Sequence, residues 1–333
     1  MKKIINDPNA VVSECLRGIE LAHPELKYTP ELEVISRKEK RPGKVGIVSG
    51  GGSGHEPAHA GYVGVGMLDA AVAGNMFSSP SPDRIIEGIK EADGGAGVLL
   101  VIKNYSGDIM NFEMAADMAE MEDINVKQVI VRDDVAVPDS TYSTGRRGIA
   151  GTVFVHKIAG AKAETGANLD EVVAVAQKTC DNIRSMGMAM TSCTLPAVGK
   201  AGFDLGENEV EIGMGIHGEP GVERTTIKTA KETAEILLGK IMDDYDFVGS
   251  EVALMVNGLG GTPLMELYIL NNEAAQILAD KGVKIYKTFV GNYMTAIEMA
   301  GCSLTLLKLD SELKALLDAP CCTPGLCVCG GKG

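Results

Sequence analysis

Three short runs limit what this chain can fold into: "KVGIVS" (44–49), "GVLLVIK" (97–103) and "VKQVIVRD" (126–133). Each is rich in β-branched residues and almost continuously apolar, without the alternation of a strand that has one face in water. Strands read this way when both faces are covered, as in a parallel sheet. Helical patterns lie between them. "SPDRIIEGIKEAD" (81–93) offers a Ser cap, Pro at the first helical position and Ile at 85, 86 and 89, and "MNFEMAADMAEME" (110–122) is built from strong helix formers. This alternation predicts the α/β class, with a doubly wound, mostly parallel sheet in the first half.

"LDEVVAVAQKTCDNIRSM" (169–186) reads as an amphipathic helix closing that half. Beyond it the texture changes to Gly and turn residues through 187–221, with strands near 188–193 and 209–216. A helix over 226–244, a strand over 251–260, a helix over 263–282 and strands over 284–291 and 303–309 follow. A chain of 333 residues exceeds what one core usually supports. The expectation is two α/β domains, residues 1–185 and 186–320, the second smaller and α/β or α+β, followed by a Cys-rich tail over 321–333.

Charge narrows the partners. With 31 basic against 45 acidic residues the net charge is −14, which repels nucleic acid and anionic lipid. The longest apolar stretches, such as "AGVLLVI" (96–102), are far too short to span a bilayer, and "MKKIINDPNAVV" lacks the apolar centre of a secretory signal, so a cytoplasmic location is expected. Of eight Cys, four (Cys15, Cys180, Cys193, Cys302) read as scattered buried thiols. The others, Cys321, Cys322, Cys327 and Cys329, crowd into "PCCTPGLCVCGGKG"; the spacing holds no C-x-x-C pair and reads as a mobile tail rather than a metal site.

The densest candidate for chemistry is "KVGIVSGGGSGHEPAHAGYVGVG" (44–66), with eight glycines and two histidines behind a strand. Glycine lets backbone approach a ligand closely, and open α/β sheets bind ligands at the carboxyl ends of their strands. No G-x-x-x-x-G-K-[ST] is present, and a G-x-G-x-x-G match through Gly50 and Gly52 fails at His55, so a nucleotide loop is not supported. A ligand loop and a tight structural turn both stay open. His55 stands at the mouth of the run; His59, four residues on, would share a helical face with it and could pair with it on a metal, but no third ligand is evident.

"IKNYSGDIMNF" (102–112) ends the second strand, with Lys103 and Asp108 flanking a turn; Asp108 also suits the N-cap of the helix that follows. His217 sits between glycines in "IGMGIHGEPG" beside Glu219, placed as a nucleophile, a base or a solvated loop residue. His23 and His156 have no convergent partners and read as structural.

Taken in order, "SGGGSGHEPAHAGYVG", "KNYSGDIMNF", "GRRGIAGT", "GMGIHGEPG" and "VNGLGGTPLMELY" resemble the dihydroxyacetone-binding subunits of dihydroxyacetone kinases. The likeness runs from "MKKIINDP" to "LLDAP" and fails only in the Cys-rich tail. It implies that His217 adds to the ketone carbon of dihydroxyacetone as a covalent hemiaminal, that Asp108 accepts the proton of the attacking hydroxyl, and that His55 hydrogen-bonds substrate and assists proton transfer. Gly52, Ser53, Gly54 and Lys103 would hold its oxygens. It further implies a phosphotransferase without a metal or cofactor of its own, served by a separate donor subunit carrying ADP or ATP with Mg, and a homodimer. Phosphoenolpyruvate and ATP both stay open as the ultimate donor. The alternative from another class is a catalytically idle paralogue that senses dihydroxyacetone and co-activates transcription; His55 and Asp108 together favour the enzyme.

Overall fold

The computed structural model describes residues 2–138 and 145–329. The first elements are α1 (Val11–Ala22), β1 (Leu26–Thr29), β2 (Val34–Arg37), β3 (Gly46–Ser53), β4 (Ala70–Met76), α2 (Pro82–Ala92), β5 (Val98–Lys103), α3 (Ser106–Glu120), β6 (Val126–Val131), α4 (Thr152–Glu164) and α5 (Leu169–Asp181). They are followed by β7 (Ile183–Ala189), β8 (Glu209–Ile212), β9 (Glu223–Thr226), α6 (Ala230–Asp244), β10 (Glu251–Gly258), α7 (Leu264–Asp280), β11 (Lys284–Gly291) and β12 (Gly301–Leu309). Last come α8 (Ser311–Asp318), β13 (Cys321–Cys322) and β14 (Cys327–Val328).

These elements form two compact units. The larger comprises residues 2–131, 152–181 and 312–329, and its sheet runs β1-β2-β4-β3-β5-β6. β4, β3, β5 and β6 are parallel; β1 and β2 extend that core as an antiparallel edge. Helices α2 and α3 cover one face, and α4 and α5 pack together against β3, β5 and β6. The apolar side of α2 explains its place: Ile85, Ile86 and Ile89, at helical spacing, join Val48, Val72, Leu100 and Phe112 in one buried cluster. From β3 the chain turns to β4 on one side, and from β5 to β6 on the other. The carboxyl ends of β3 and β5 thus flank a topological switch point.

The other unit comprises residues 132–138, 145–151 and 182–311, with sheet order β11-β10-β12-β7-β8-β9. Only β10 and β11 are parallel, and α6 and α7 cover the sheet with a cluster built on Leu237, Leu238, Ile241, Val252, Leu254 and Leu304. A capping box starts α6: Glu232 N–H donates to Thr229 Oγ1, and Thr229 N–H donates to Glu232 Oε2.

Several expectations are corrected. A single cut near residue 185 would fall inside β7, which pairs with β12 from Ile183↔Leu307 to Ala189↔Gly301; "IRSM" is therefore strand rather than the end of a helix. The chain instead passes between units four times, and residues 312–329 return to the unit that holds the N-terminal strands. Gly50, Gly51 and Gly52 of the run read as a loop are strand residues, because β3 runs through Ser53 and pairs with β4 from Val48↔Ala70 to Ser53↔Met76. β6 is half exposed at Lys127 and Gln128, being the sheet's edge. The Cys-rich segment through 329 is not a loose tail: β13 and β14 form a hairpin in which Cys322 N–H donates to Val65 O and Gly325 N–H to Gly61 O.

Candidate active site

The larger unit gathers Gly52, Ser53, Gly54, His55, Lys103 and Asp108 where β3 and β5 end. The glycines give clearance to what surrounds them. A Cβ on Gly51 would lie 2.7 Å from Lys103 Nζ, and one on Gly52 2.5 Å from the Ser78 backbone N. Gly54 has a φ of +106°, which side chains avoid, and sits against the Phe77 ring. Ser53 Oγ donates to Gly74 O at 2.8 Å, tying the ends of β3 and β4. The β3 glycines are therefore committed to the sheet, and no phosphate cradle forms there.

Lys103 is the last residue of β5 and is wholly buried, its Nζ 3.7 Å from Asp108 Oδ2 and without a hydrogen-bond partner. A buried amine with unfilled donor positions suits a ligand oxygen, because leaving it unpaired is costly. Asp108 is 2% exposed in the first turn of α3, not its N-cap: that position is Tyr105, and the carboxylate turns inward to accept from Ser79 Oγ.

His55 is fully buried with its ring stacked on Phe77, centroids 5.1 Å apart. The reading in which His55 and His59 share a helical face is overturned, because residues 54–59 form no helix. His59 instead meets His156 of α4, Nδ1 to Nε2 at 3.1 Å, with Ser49 Oγ 3.4 Å away. Burial and then Lys103 hold His59 well below its ordinary range and His156 down at about 3, so both rings are neutral at physiological pH. Ser49 gives its own proton to Val101 O, so it accepts from His59 Nδ1–H; His156 Nε2 then accepts as well, and the His59 lone pair lies on Nε2. Ser79, Phe77 and the role of His156 were missed in the sequence. The signal for the first two, "FSSP" after β4, was hidden because "AAVAGNM" carries too little apolar bulk to read as a strand.

His217 belongs to the other unit, in the turn after β8. Glu219 accepts from the His217 backbone N–H at 3.0 Å through Oε2 and lies 2.9 Å from its ring Nδ1 through Oε1. Burial disfavours ionisation of Glu219, but the His217 hydrogen bond and charge and the nearby Arg147 outweigh it and hold the carboxyl at about 2. An ionised carboxylate at Nδ1 keeps the ring proton there and sets the lone pair on Nε2, the tautomer a nucleophile needs. Gly215 makes room for this, since a Cβ would lie 2.0 Å from Glu219 Oε2. The "GRRGIAGT" segment supports the turn: Arg147 donates to Asp134 Oδ2 and to Gly213 O, and Ile149 and Gly151 N–H donate to buried Asp133. Asn257 of "VNGLGG" ties backbone at Tyr293 and Met294 and is likewise structural.

Among the described residues, no group of three or more His, Cys, Asp or Glu side chains is placed to hold a metal ion, and no helix is long and apolar enough to cross a membrane. Fold and site together define a two-unit α/β protein with a buried polar site at a switch point. Within that class the chain belongs to the Dak1 domain family, whose model matches residues 17–325. The chain is 54% identical over 314 residues, 94% of its length, to 95% of the PTS-dependent dihydroxyacetone kinase 1, dihydroxyacetone-binding subunit DhaK, of Listeria innocua. To the PEP-dependent counterpart of Escherichia coli it is 42% identical, covering 98% of this chain and 99% of that one. Among solved structures, the dihydroxyacetone kinase operon co-activator Dha-DhaQ aligns with a TM-score of 0.89 at 37% identity over 94% of this chain and 97% of its own. The dihydroxyacetone kinase of C. freundii aligns with a TM-score of 0.90 at 37% identity over 97% of this chain and 60% of its own.

Proposed function

We propose that this chain is the dihydroxyacetone-binding subunit of a dihydroxyacetone kinase and holds its substrate covalently on His217. The Glu219-fixed tautomer of His217 carries the reading. The Nε2 lone pair adds to C2 of the ketone, the carbonyl π pair passes to oxygen, which takes up a proton, and Glu219 offsets the positive charge left on the ring. Glycerol has no carbonyl to accept this bond, so the step selects ketone over polyol where hydrogen bonds alone discriminate little. Lys103 and the Gly52–Gly54 backbone hold the remaining oxygens, and His55 hydrogen-bonds the substrate. Asp108 takes the proton of the terminal hydroxyl as that oxygen attacks the donor's γ-phosphorus; the bond to the bridging oxygen breaks, ADP stays on the donor subunit, and dihydroxyacetone phosphate forms.

The nucleotide and Mg sit on a donor subunit, since the β3 glycines of this chain are engaged in the sheet. Met110 and Met114, exposed one turn apart on the helix that carries Asp108, suit an adaptable docking surface for it. Phosphoenolpyruvate as ultimate donor is supported by the Listeria relative, which this chain spans nearly end to end and whose name is PTS-dependent. A cytoplasmic homodimer completes the reading; Leu264, Met265, Tyr268 and Ile269 are exposed along the first two turns of α7, an apolar face suited to a second copy. Intact-protein mass spectrometry with dihydroxyacetone tests the core of the proposal. The wild type gains one substrate mass and His217→Ala gains none; an undiminished adduct in the variant refutes the assignment. A second reading, a dihydroxyacetone-responsive co-activator, is favoured by the likeness to Dha-DhaQ. Phosphorylation of dihydroxyacetone with a donor subunit supplied separates the two, because the co-activator forms no product.

A further inference from the structure

The C-terminal hairpin carries four cysteines for which the proposed function has no use. In β13–β14, Cys322 lies directly opposite Cys327, and Cys321 opposite Val328. Cys322 N–H donates outward to Val65 O, while the neighbouring pair is closed by Thr323 N–H to Leu326 O. Cys322 and Cys327 therefore occupy a non-hydrogen-bonded position, where facing Cα atoms come to about 4.5 Å and side chains on one face are closest. That spacing lies within the range of about 4.4–6.8 Å that a disulfide spans. Both side chains are exposed, whereas Cys321 points the other way and is buried. Cys329, two residues beyond Cys327, shares its face, and the two thiols hydrogen-bond.

The hairpin backbone is held independently of these thiols. It follows the segment after His59: a Cβ on Gly64 would meet Cys322 O at 2.3 Å, and one on Gly66 would meet Pro320 O at 2.4 Å. Slight burial and the neighbouring Cys329, Cys322 and Cys321 thiols push the Cys327 thiol up, which reports the same crowding.

We propose that Cys322 and Cys327 form a redox-modification site, a cross-strand dithiol that a low-molecular-weight disulfide oxidises to an intramolecular disulfide. One cysteine thiolate attacks a sulfur of the small disulfide and expels one thiolate, giving a mixed disulfide. The second cysteine thiolate then displaces the remaining small thiolate and forms the Cys322–Cys327 bond. Two electrons pass to the oxidant, which leaves as two thiols carrying the two protons. Cytosolic disulfides are mostly transient and redox-sensing, and this pair is accessible enough to be of that kind. The bond would close a six-residue loop over the strap that backs residues 61–66.

The test is oxidation of the full chain with oxidised glutathione, then alkylation of remaining thiols and fragmentation of the peptide that holds all four cysteines. A mass loss of 2 Da is expected, with alkylated Cys321 and Cys329 and no backbone fragments released between 322 and 327. Dithiothreitol should reverse it. Cys327→Ser should slow the loss at least tenfold, while Cys329→Ser should leave it within about twofold. Full alkylation of Cys322 and Cys327 after oxidation, or an equal rate in Cys327→Ser, overturns the proposal.

Discussion

Replacing Glu219 by Gln leaves the side chain's size and one hydrogen-bonding arm in place and removes its charge. In the structure that carboxylate meets the His217 ring at 2.9 Å and the His217 backbone at 3.0 Å. A hydrogen bond to a charged group contributes about 1.5–3 kcal/mol, and the fall of the Glu219 carboxyl to about 2 has the matching direction. The side chain is 33% exposed, so solvent screens the interaction to the lower part of that range, roughly 1.5–2 kcal/mol. Ketone addition puts positive charge on the ring, so this is the stabilisation the adduct loses. Titration of dihydroxyacetone against the intact protein at pH 7, read by the adducted fraction, should show Kd rising about 10–30-fold. A loss above a hundredfold would mean that the Gln amide donates to Nδ1 and inverts the tautomer, the same dependence in stronger form. A change below about twofold refutes the reasoning, because the carboxylate would then contribute nothing to the addition.

Asp108→Asn should keep the adduct and lower turnover with a donor subunit by about 10²–10⁴-fold, the usual contribution of a general base; turnover near wild type would leave Asp108 a structural acid. Lys103→Met and Asp108→Asn should each lower the unfolding free energy, whereas the double variant should be at least as stable as wild type, since a buried pair is costly to half-remove and cheap to replace. Denaturant melts check this, and additive losses would contradict it. His59 and His156 stay neutral when folded, so the unfolded chain takes up their protons as pH falls below about 6.5. Stability is full above that pH and should fall by about 3 kcal/mol between pH 6.5 and 5, at up to about 1.4 kcal/mol per pH unit for each ring. His156→Asn should roughly halve the slope; an unchanged slope would show that these rings do not set it.

What could be read from the sequence followed from local pattern. β5 and most of β3 were legible because strands covered on both faces are apolar throughout, and α2 because its isoleucines recur at helical spacing. The glycines of β3 misled, since a run of three is turn chemistry in isolation; here the space they leave is taken by Lys103, Phe77 and the β4 backbone. β4 was invisible because Ala and Gly suffice where the strand is crowded from both sides. The His217–Glu219 contact was legible, being two residues long. The His59–His156 contact was not, because it joins positions 97 residues apart and only the packing of α4 brings them together. The division of the chain between units failed for the same reason, as strand pairing between distant segments leaves no trace in periodicity.

That division bears on how the protein is made. The unit holding Lys103 and Asp108 is completed by α8, where Leu316 O accepts from Lys157 Nζ and Glu312 meets Lys178. Between α5 and α8 the ribosome must add the whole of residues 182–311, which at about 5–20 residues per second takes on the order of ten seconds. During that interval the parallel sheet stands without its last helix and hairpin. The intervening unit leaves beside where it enters, since Lys308 N–H donates to Asn182 O and β12 lies along β7. Once folded, it draws residues 181 and 312 together and shortens the search that finishes the first unit. Late synthesis of a few C-terminal turns thus becomes the step on which assembly of the Asp108 unit waits.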